Sequence, residues 1–251
     1  MNGLATFLWV VLPYVTIAVL GVGLFWRYRY DKFGWTTRSS QMYESRLLRL
    51  GSPLFHFGIL LAFAGHVVGL MIPQAWTDAL GISESMYHWT AVVMGSVAAV
   101  MVVSGISILI YRRRTVGRVF GVTTPMDKAM YLVLGTVVLI GAYNTIGVNL
   151  LDLPGKYPDG FNYRETVSVW FRSIFWFDPQ AELMTESPVT FQLHVVAAMA
   201  LFMLWPFTRL VHVISAPIGY LSRPYVVYRS RGPHEAGSRD PNRGWEPVTR
   251  R

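Results

Sequence analysis

Five long apolar stretches constrain this sequence more than any other feature. Because a helix needs roughly 20 apolar residues to cross the hydrocarbon core of a bilayer, they predict five membrane-spanning helices. The stretches are Leu4–Trp26, Pro53–Ile72, Trp89–Tyr111, Ala129–Leu150 and Val189–Ser215. Only 14% of the residues are charged, against about 25% in soluble domains. We therefore expect an all-α, five-helix membrane bundle over residues 1–225, followed by a polar, basic tail over residues 226–251.

The positive charge is unevenly distributed among the segments that join these stretches. Of the 22 Lys and Arg residues, six lie in residues 27–51, five in 112–128, and eight from the end of the fifth stretch onward. The segment 73–88 has none, and 151–188 has three. Because cytoplasmic loops carry the positive excess, we expect the N-terminus outside and the C-terminus in the cytoplasm. This topology explains the net charge of +8 and removes most of the case for a nucleic-acid partner.

The absence of cysteine limits the metal chemistry of the chain. Without thiolates it cannot ligate an Fe–S cluster itself, attach a c-type haem covalently or form a disulfide. Any metal must be held by other side chains, and histidine is the natural candidate inside a span because imidazole binds iron well.

Four histidines lie within two of the five stretches, His56 and His66 in the second and His194 and His212 in the fifth. Ionisable residues inside spans are rare and usually functional. The simple alternative is that each ring forms a hydrogen bond to a neighbouring helix. Two facing helices with two histidines each instead predict two b-type haems, each held by one histidine from each helix.

The antiparallel direction of these two helices decides the pairing. Ends on the same side of the membrane face each other, which pairs His56 with His212 and His66 with His194. In straight helices His56 and His66 are about 15 Å apart along the axis, whereas His194 and His212 are about 27 Å apart. A tilt of the fifth helix and a kink at Pro206 are expected to absorb this difference.

Further polar and small residues accompany the histidines. His88 either accepts a proton from a quinol, as the predicted catalytic residue, or belongs to an interfacial aromatic belt. Arg209 either pairs with a haem propionate or snorkels to the interface as a topology marker. Gly58, Gly65 and Gly69 either admit a flat macrocycle beside the ligands or serve helix packing.

Several of these motifs together resemble one known family. They are Ser-Pro-Leu-Phe-His-Phe-Gly-Ile-Leu at residues 52–60, Gly65-His66, Leu193-His194 and Trp-Pro-Phe-Thr-Arg-Leu-Val-His at residues 205–212. They resemble the gamma subunit of respiratory nitrate reductase, a membrane cytochrome b. The likeness extends from the first stretch through residues 217–225.

The resemblance implies a dihaem cytochrome b of the cell (inner, cytoplasmic) membrane. It implies His66 and His194 as ligands of an outer, distal haem and His56 and His212 as ligands of a proximal one, with Arg209 at a propionate. Quinol, such as menaquinol, would be oxidised near the distal haem. Electrons would leave the proximal haem for an Fe–S beta subunit and then a molybdenum alpha subunit on the cytoplasmic side. The family has a lysine near the start of the third helix, where this chain has His88.

Three other functions remain open at this point. The nearest is a cytochrome b of another quinone-linked reductase, of the sulfite- or heterodisulfide-reductase type, which would share the four histidines. A transporter or proton channel would use them as a relay, although the spans lack acidic residues and corresponding interrupted helices. A purely structural membrane anchor, with the histidines as contacts between helices, would bind no haem and would therefore be colourless. For the reductase, the basic segments 27–51 and 112–128, with the tail, are the predicted docking surface for the partner subunits.

Overall fold

The computed structural model describes residues 2–31, 34, 35, 39–215 and 222. Five of its helices are long and apolar enough to span a membrane: Gly3–Tyr30, Arg46–Met71, Glu84–Thr115, Pro125–Val148 and Val189–Phe207. These are termed the first to fifth spans, and all regular structure in the described residues is helical. The all-α, five-span prediction is confirmed, whereas the orientation across the membrane stays a prediction. The expected tail, 226–251, lies outside the described residues.

Polar residues cap the third and fourth spans, which begin before the apolar stretches that they contain. The third span begins after Ser83, whose side chain accepts a hydrogen bond from the backbone N–H of Met86. Thr124 and Asp127 form a reciprocal capping box at the start of the fourth span. Such caps satisfy N–H groups that the first turn of a helix leaves without intrahelical partners. The helices therefore extend past their apolar runs.

The second and third spans form the most extensive helix pair of the bundle. Glycines allow this close approach: a Cβ at Gly51 would lie 2.9 Å from Ile108, and one at Gly58 would lie 2.8 Å from Met101. Gly58 thus serves helix packing, as small residues commonly do in membranes. Gly65, the neighbour of His66, faces open space instead.

The fifth span does not continue to Ser215 as a regular helix, which corrects the predicted boundary. Its α-helix ends at Leu204, and two short 3-10 turns follow over Trp205–Phe207 and Arg209–Val213. Proline lacks an N–H and clashes with the preceding turn, so the break falls at Pro206. The Pro206 ring packs against Gly23 of the first span, where a Cβ would lie 2.8 Å from the ring.

The segment between the fourth and fifth spans contains a short helix, Val167–Ile174, termed the loop helix. Its Trp170 is buried against Trp9 of the first span, with ring centres 5.9 Å apart. Its polar side chains bind the end of the second span: Ser168 donates to the Gly69 carbonyl at 2.8 Å, and Arg172 to the Leu70 carbonyl at 3.0 Å. The loop helix therefore covers the end of the bundle nearer His66, termed the His66 end.

A buried arginine organises the opposite end, termed the His56 end. Arg112, 2% exposed, donates from Nε to Glu44 Oε2 at 2.5 Å and from Nη2 to the carbonyls of Ser40 and Glu44 at 2.8 and 2.6 Å. Removing a buried charge from water is costly unless it is paired and hydrogen-bonded. Arg112 meets that requirement by holding the segment that precedes the second span.

This attachment is expected to weaken in acid. Loss of water contact acts to raise the pKa of Glu44, but hydrogen bonds from the Leu47 backbone and from Arg112 outweigh it and hold the pKa below the ordinary 4.5. A carboxyl with a lowered pKa contributes stability that is present above the ordinary value and is lost as pH falls through the folded value. Pepsin cleavage near residues 39–45 should accelerate in wild type below about pH 4.5, relative to Glu44→Gln. A pH-independent ratio between the two proteins would contradict this.

Candidate functional site

The structure brings the four span histidines together as two pairs. The ring centres of His66 and His194 are 6.1 Å apart, with planes inclined by 25°. Those of His56 and His212 are also 6.1 Å apart, inclined by 69°. Two imidazoles bound to opposite sides of one metal ion, with metal–nitrogen bonds of about 2 Å, have centres roughly 6 Å apart. Both pairs therefore have a separation that fits an ion between the rings.

Backbone carbonyls fix the protonation of three of these rings. Nδ1 of His56 lies 2.7 Å from the Ser52 carbonyl, Nδ1 of His66 2.7 Å from that of Ala62, and Nδ1 of His212 2.6 Å from that of Arg209. Because a carbonyl only accepts, Nδ1 carries the proton and Nε2 keeps its lone pair. This arrangement is typical of metal-binding histidines, whose other nitrogen donates to a second group.

The number of ligands distinguishes between kinds of metal group. No three His, Cys, Asp or Glu side chains converge on a metal position within the ranges that the structure describes. A bare structural ion such as zinc usually takes four protein ligands. Two opposed imidazoles instead suit an iron whose remaining positions are filled by a macrocycle, as in b-type haem. The residues present therefore fit two haems.

The fourth span makes room for His194. A Cβ at Gly141 would lie 2.8 Å from Cε1 of the His194 ring and 3.4 Å from its Nδ1. That Nδ1 is buried without a hydrogen-bond partner, unlike the Nδ1 atoms of the other three rings. The ring therefore packs against Gly141, and the backbone carbonyl that lies close to it belongs to Val137 of the same fourth span, not to the helix that carries His194.

The break in the fifth span resolves the mismatch in histidine spacing. His194 lies in the α-helix, whereas His212 lies in the second 3-10 turn, beyond Thr208, whose backbone is extended at φ −112° and ψ 179°. The chain thus leaves the helix axis between the two histidines, and the 27 Å estimate for a straight helix does not apply. Pro206, already expected to kink the helix, is the physical cause.

His88 lies beside the segment that connects the fourth and fifth spans, and its ring packs against Gly160 of that segment. The neighbouring Tyr87 turns toward the second span: its hydroxyl lies 3.3 Å from that of Tyr163. Tyr163 in turn contacts Gly69, where a Cβ would lie 3.0 Å from the Tyr163 hydroxyl. Because Gly69 follows His66 by three residues, the two tyrosines lie about one helical turn from that ligand.

A buried arginine supports the tyrosine pair. Arg164, 2% exposed, donates to Glu84 at 3.1 Å and to the Thr77 hydroxyl at 2.7 Å, and its guanidinium lies 3.7 Å from the centre of the Tyr87 ring. Burial, reinforced by the neighbouring Tyr87, raises the pKa of Tyr163 above its ordinary value of 10. The Tyr163 hydroxyl therefore stays protonated and offers a hydrogen bond rather than a base.

Arg209 binds a protein carboxylate. Its Nε and Nη2 donate to the two oxygens of Asp127 at 2.7 and 3.0 Å, and Asp127 is buried at 5% exposure. Arg113 lies 3.8 Å from the same carboxylate. A haem propionate at Arg209 would have to share the guanidinium with Asp127. The pair also fixes the backbone carbonyl that accepts from His212.

Comparison with known proteins identifies the family to which these features belong. A family model described as the nitrate reductase gamma subunit matches residues 5–231, which is most of the chain. The chain belongs to this family. The resemblance predicted from the histidine motifs is therefore confirmed at the level of the family, and five helices of the chain are long and apolar enough to span a membrane.

Individual gamma-family relatives cover the chain nearly end to end. It is 43% identical to the nitrate reductase gamma chain of Bacillus subtilis over 89% of this chain and 97% of that protein. It is 34% identical to the respiratory nitrate reductase 2 gamma chain of Escherichia coli over 91% and 98%. The nitrate reductase-like protein NarX of Mycobacterium tuberculosis is 56% identical over 94% of this chain. The chain spans only 35% of the length of NarX.

Several residues of this gamma-family site escaped sequence reasoning. Tyr163 and Arg164 lie in a connecting segment, and Asp127 lies 82 positions before Arg209. One signal was present for Arg164, because the segment 151–188 has only three Lys and Arg residues. An isolated cation on the face predicted to be poor in positive charge indicates a specific partner, here Glu84.

Proposed function

We propose that this gamma-family chain is the dihaem cytochrome b subunit of a respiratory nitrate reductase in the cell membrane. It would oxidise quinol near the His66 end and pass electrons to an Fe–S beta subunit and a molybdenum alpha subunit at the His56 end, on the cytoplasmic side. The observation that carries the proposal is the presence of two histidine pairs with 6.1 Å ring separations. They lie at successive depths of the bundle.

The residues of the chain would hold each haem and set its surroundings. His66 and His194 would ligate one iron and His56 and His212 the other, each through Nε2. Haem iron held in this way carries one electron at a time. The carbonyls of Ser52, Ala62 and Arg209 keep the ligand rings oriented, and such hydrogen bonds tune a metal site. Nδ1 of His194 has no such partner, and the carbonyl near its ring comes from Val137 of another span, so the two sites differ in their surroundings.

Quinol oxidation requires groups that bind the quinol oxygens and accept their protons. We propose His88 as the base, because its neutral imidazole is able to take a proton. Tyr163 would hold a quinol oxygen by hydrogen bonding and, being protonated, would not compete as a base. The Arg164–Glu84 pair keeps Tyr87 and Tyr163 in place. Releasing protons on one side while electrons move to the other separates charge across the membrane.

The haem content of the purified chain tests the proposal. We expect two haems per chain and a reduced-minus-oxidised spectrum of b-type haem with two histidine ligands. Redox titration should resolve two components, since the two pairs differ in their hydrogen bonding. A folded, colourless chain would contradict the proposal and favour the anchor or the transporter.

The structure narrows the proposed docking surface for the partner subunits. Arg112 and Arg113 are buried at 2% and 8% exposure, so they serve the fold rather than a partner. Among the described residues, the cations that remain exposed at the His56 end include Arg46, Arg49, Arg114, Arg118 and Lys128. Exposed apolar side chains lie among the same segments, notably Met42 at 98% exposure. We propose that these cations and Met42 contact the Fe–S subunit.

Charge reversal at this surface should separate assembly from haem binding. In Arg114→Glu/Arg118→Glu we expect the partner subunits to be lost from detergent-purified complexes, with the haem content unchanged. Because exposed charges are screened by salt, the difference in assembly between this variant and wild type should be largest at low ionic strength and should shrink as ionic strength rises. Lys156→Glu, an exposed cation of the opposite end, is the matched control and should assemble normally. Equal assembly of both variants would argue against this surface.

A further inference from the structure

The most exposed aromatic cluster of the described residues lies in the segment between the fourth and fifth spans. Phe175, Trp176 and Phe177 follow the loop helix directly and are 54%, 82% and 84% exposed. Hydropathy assigns this segment to the aqueous side of the membrane. Three consecutive aromatic rings in water would form an apolar patch of the kind that marks an interaction surface. The three residues are termed the aromatic turn.

The backbone N–H groups of the aromatic turn are paired within the chain. The N–H groups of Phe175, Trp176 and Phe177 donate to the carbonyls of Arg172, Ser173 and Ile174 at 3.2, 3.1 and 3.2 Å. Asp178 donates to the Ser173 carbonyl, Pro179 has no N–H, and Gln180 donates to the Ser173 hydroxyl. Unpaired N–H groups are costly in lipid, and these N–H groups need no partner from the surrounding medium.

The first span fixes the depth of the aromatic turn. The Phe177 ring stacks on Tyr14, with centres 6.0 Å apart and planes inclined by 4°, and the Tyr14 hydroxyl donates to the Ile174 carbonyl at 3.0 Å. Tyr14 lies 13 residues from Arg27, which is about 20 Å along a helix. The hydrocarbon core is about 30 Å thick, and we take the Arg27–Asp31 ion pair as its opposite boundary. The turn thus lies at or below the headgroup layer.

The backbone of Phe177 is held in an unusual conformation to present this ring. Its φ is +58°, in the left-handed region that bulky residues rarely adopt. The exposed stripe of the first span beside Tyr14 includes Phe7, Val11 and Val15 at 49%, 43% and 41% exposure. The aromatic turn is therefore continuous with a surface that must face lipid.

We propose that the aromatic turn inserts into the outer-leaflet interface of the bilayer at the His66 end and anchors the loop helix there. Aromatic rings favour this layer, and the adjoining exposed carboxylate of Asp178 stays among the headgroups. Because the loop helix donates hydrogen bonds to Gly69 and Leu70, lipid contact would stabilise the end of the helix that carries His66. This inference is independent of the proposed haem chemistry.

The lack of cysteine permits a direct test. The full chain carrying Trp176→Cys is spin-labelled, reconstituted in phosphatidylcholine and phosphatidylglycerol vesicles, and measured for relaxation by oxygen and by a water-soluble nickel chelate. Lys156→Cys, exposed in the same connecting segment, is the matched control. We expect oxygen to reach residue 176 and the nickel chelate to be excluded by on the order of tenfold relative to residue 156.

Two outcomes would overturn the proposal. Nickel access at 176 equal to that at 156 would place the turn in water. Protection from both reagents would show that protein covers it, either a second copy or a partner subunit. Phe175→Cys provides a second labelling position if the Trp176→Cys protein does not fold or reconstitute into vesicles. Circular dichroism establishes that each variant retains its helices. The same measurement on the complex with its partner subunits should give the same pattern.

Discussion

Replacement of His66 by alanine is expected to lower the haem content of the purified chain from two haems to one. Without this ring, only His194 would remain to hold that haem, and a b-type haem would have no covalent attachment to retain it. His212→Ala should lose the other haem. Because the two pairs have different hydrogen bonds, the two variants should lose different components of the redox titration.

The control variant is His88→Ala, which removes a histidine that belongs to neither pair. It should keep both haems and instead lower quinol-dependent nitrate reduction in the assembled complex. His66→Ala and His212→Ala should reduce that activity to background, while a soluble donor that feeds the partner subunits directly still supports nitrate reduction. Two haems retained in His66→Ala would contradict the ligand assignment. Added imidazole should restore the lost component by occupying the space that alanine leaves.

Hydropathy and topology were sufficient for the bundle and for the order of the histidines. Five apolar runs predict five spans because the bilayer sets the length of a helix. The antiparallel direction of the second and fifth spans then pairs His56 with His212 and His66 with His194. Both arguments need only positions along the chain, which is why the structure brings together the rings that the sequence paired.

The ends of the helices were less predictable. Hydropathy extends the fifth span to Ser215 because the residues after Pro206 are still apolar, yet the α-helix ends at Leu204. The Pro206 ring is received by Gly23 of the first span, and its carbonyl accepts from Arg27 at 2.8 Å. These two contacts join residues that are 183 and 179 positions apart in the chain. The pattern of apolar residues within one segment contains no information about contacts with residues so distant in the chain.

The polar network of the site was hidden for the same reason. The hydroxyls of Tyr87 and Tyr163 meet across 76 positions, and Arg112 reaches Glu44 across 68. Positive charge near the second and third spans indicates the orientation of a chain in the membrane. This interpretation accounts for the exposed cations. For Arg112 the burial shows a second role, because a desolvated guanidinium needs its carboxylate. Composition does not distinguish these two uses of arginine.

Replacement of Gly141 by valine is expected to remove the haem of the His66–His194 pair without changing a ligand. A Cβ at this position would lie 2.8 Å from Cε1 of His194, closer than real Cβ contacts occur, so the ring must move. Nδ1 of this ring has no hydrogen-bond partner, so the displacement is opposed only by packing and by the nearby Val137 carbonyl. Gly141→Ala should shift the spectrum and potential of this component, and Gly141→Val should abolish it.

Gly135→Val is the matched control because it lies in the same span and has nothing within 4 Å of its built Cβ. It should retain two haems with unchanged potentials. In Gly141→Val, the component assigned to His56 and His212 should persist, which distinguishes a local displacement of His194 from general unfolding of the bundle. Two unaltered components in Gly141→Val would mean that the His194 ring lies away from the fourth span when the haem is bound. Packing against a glycine would then not be what positions this ligand.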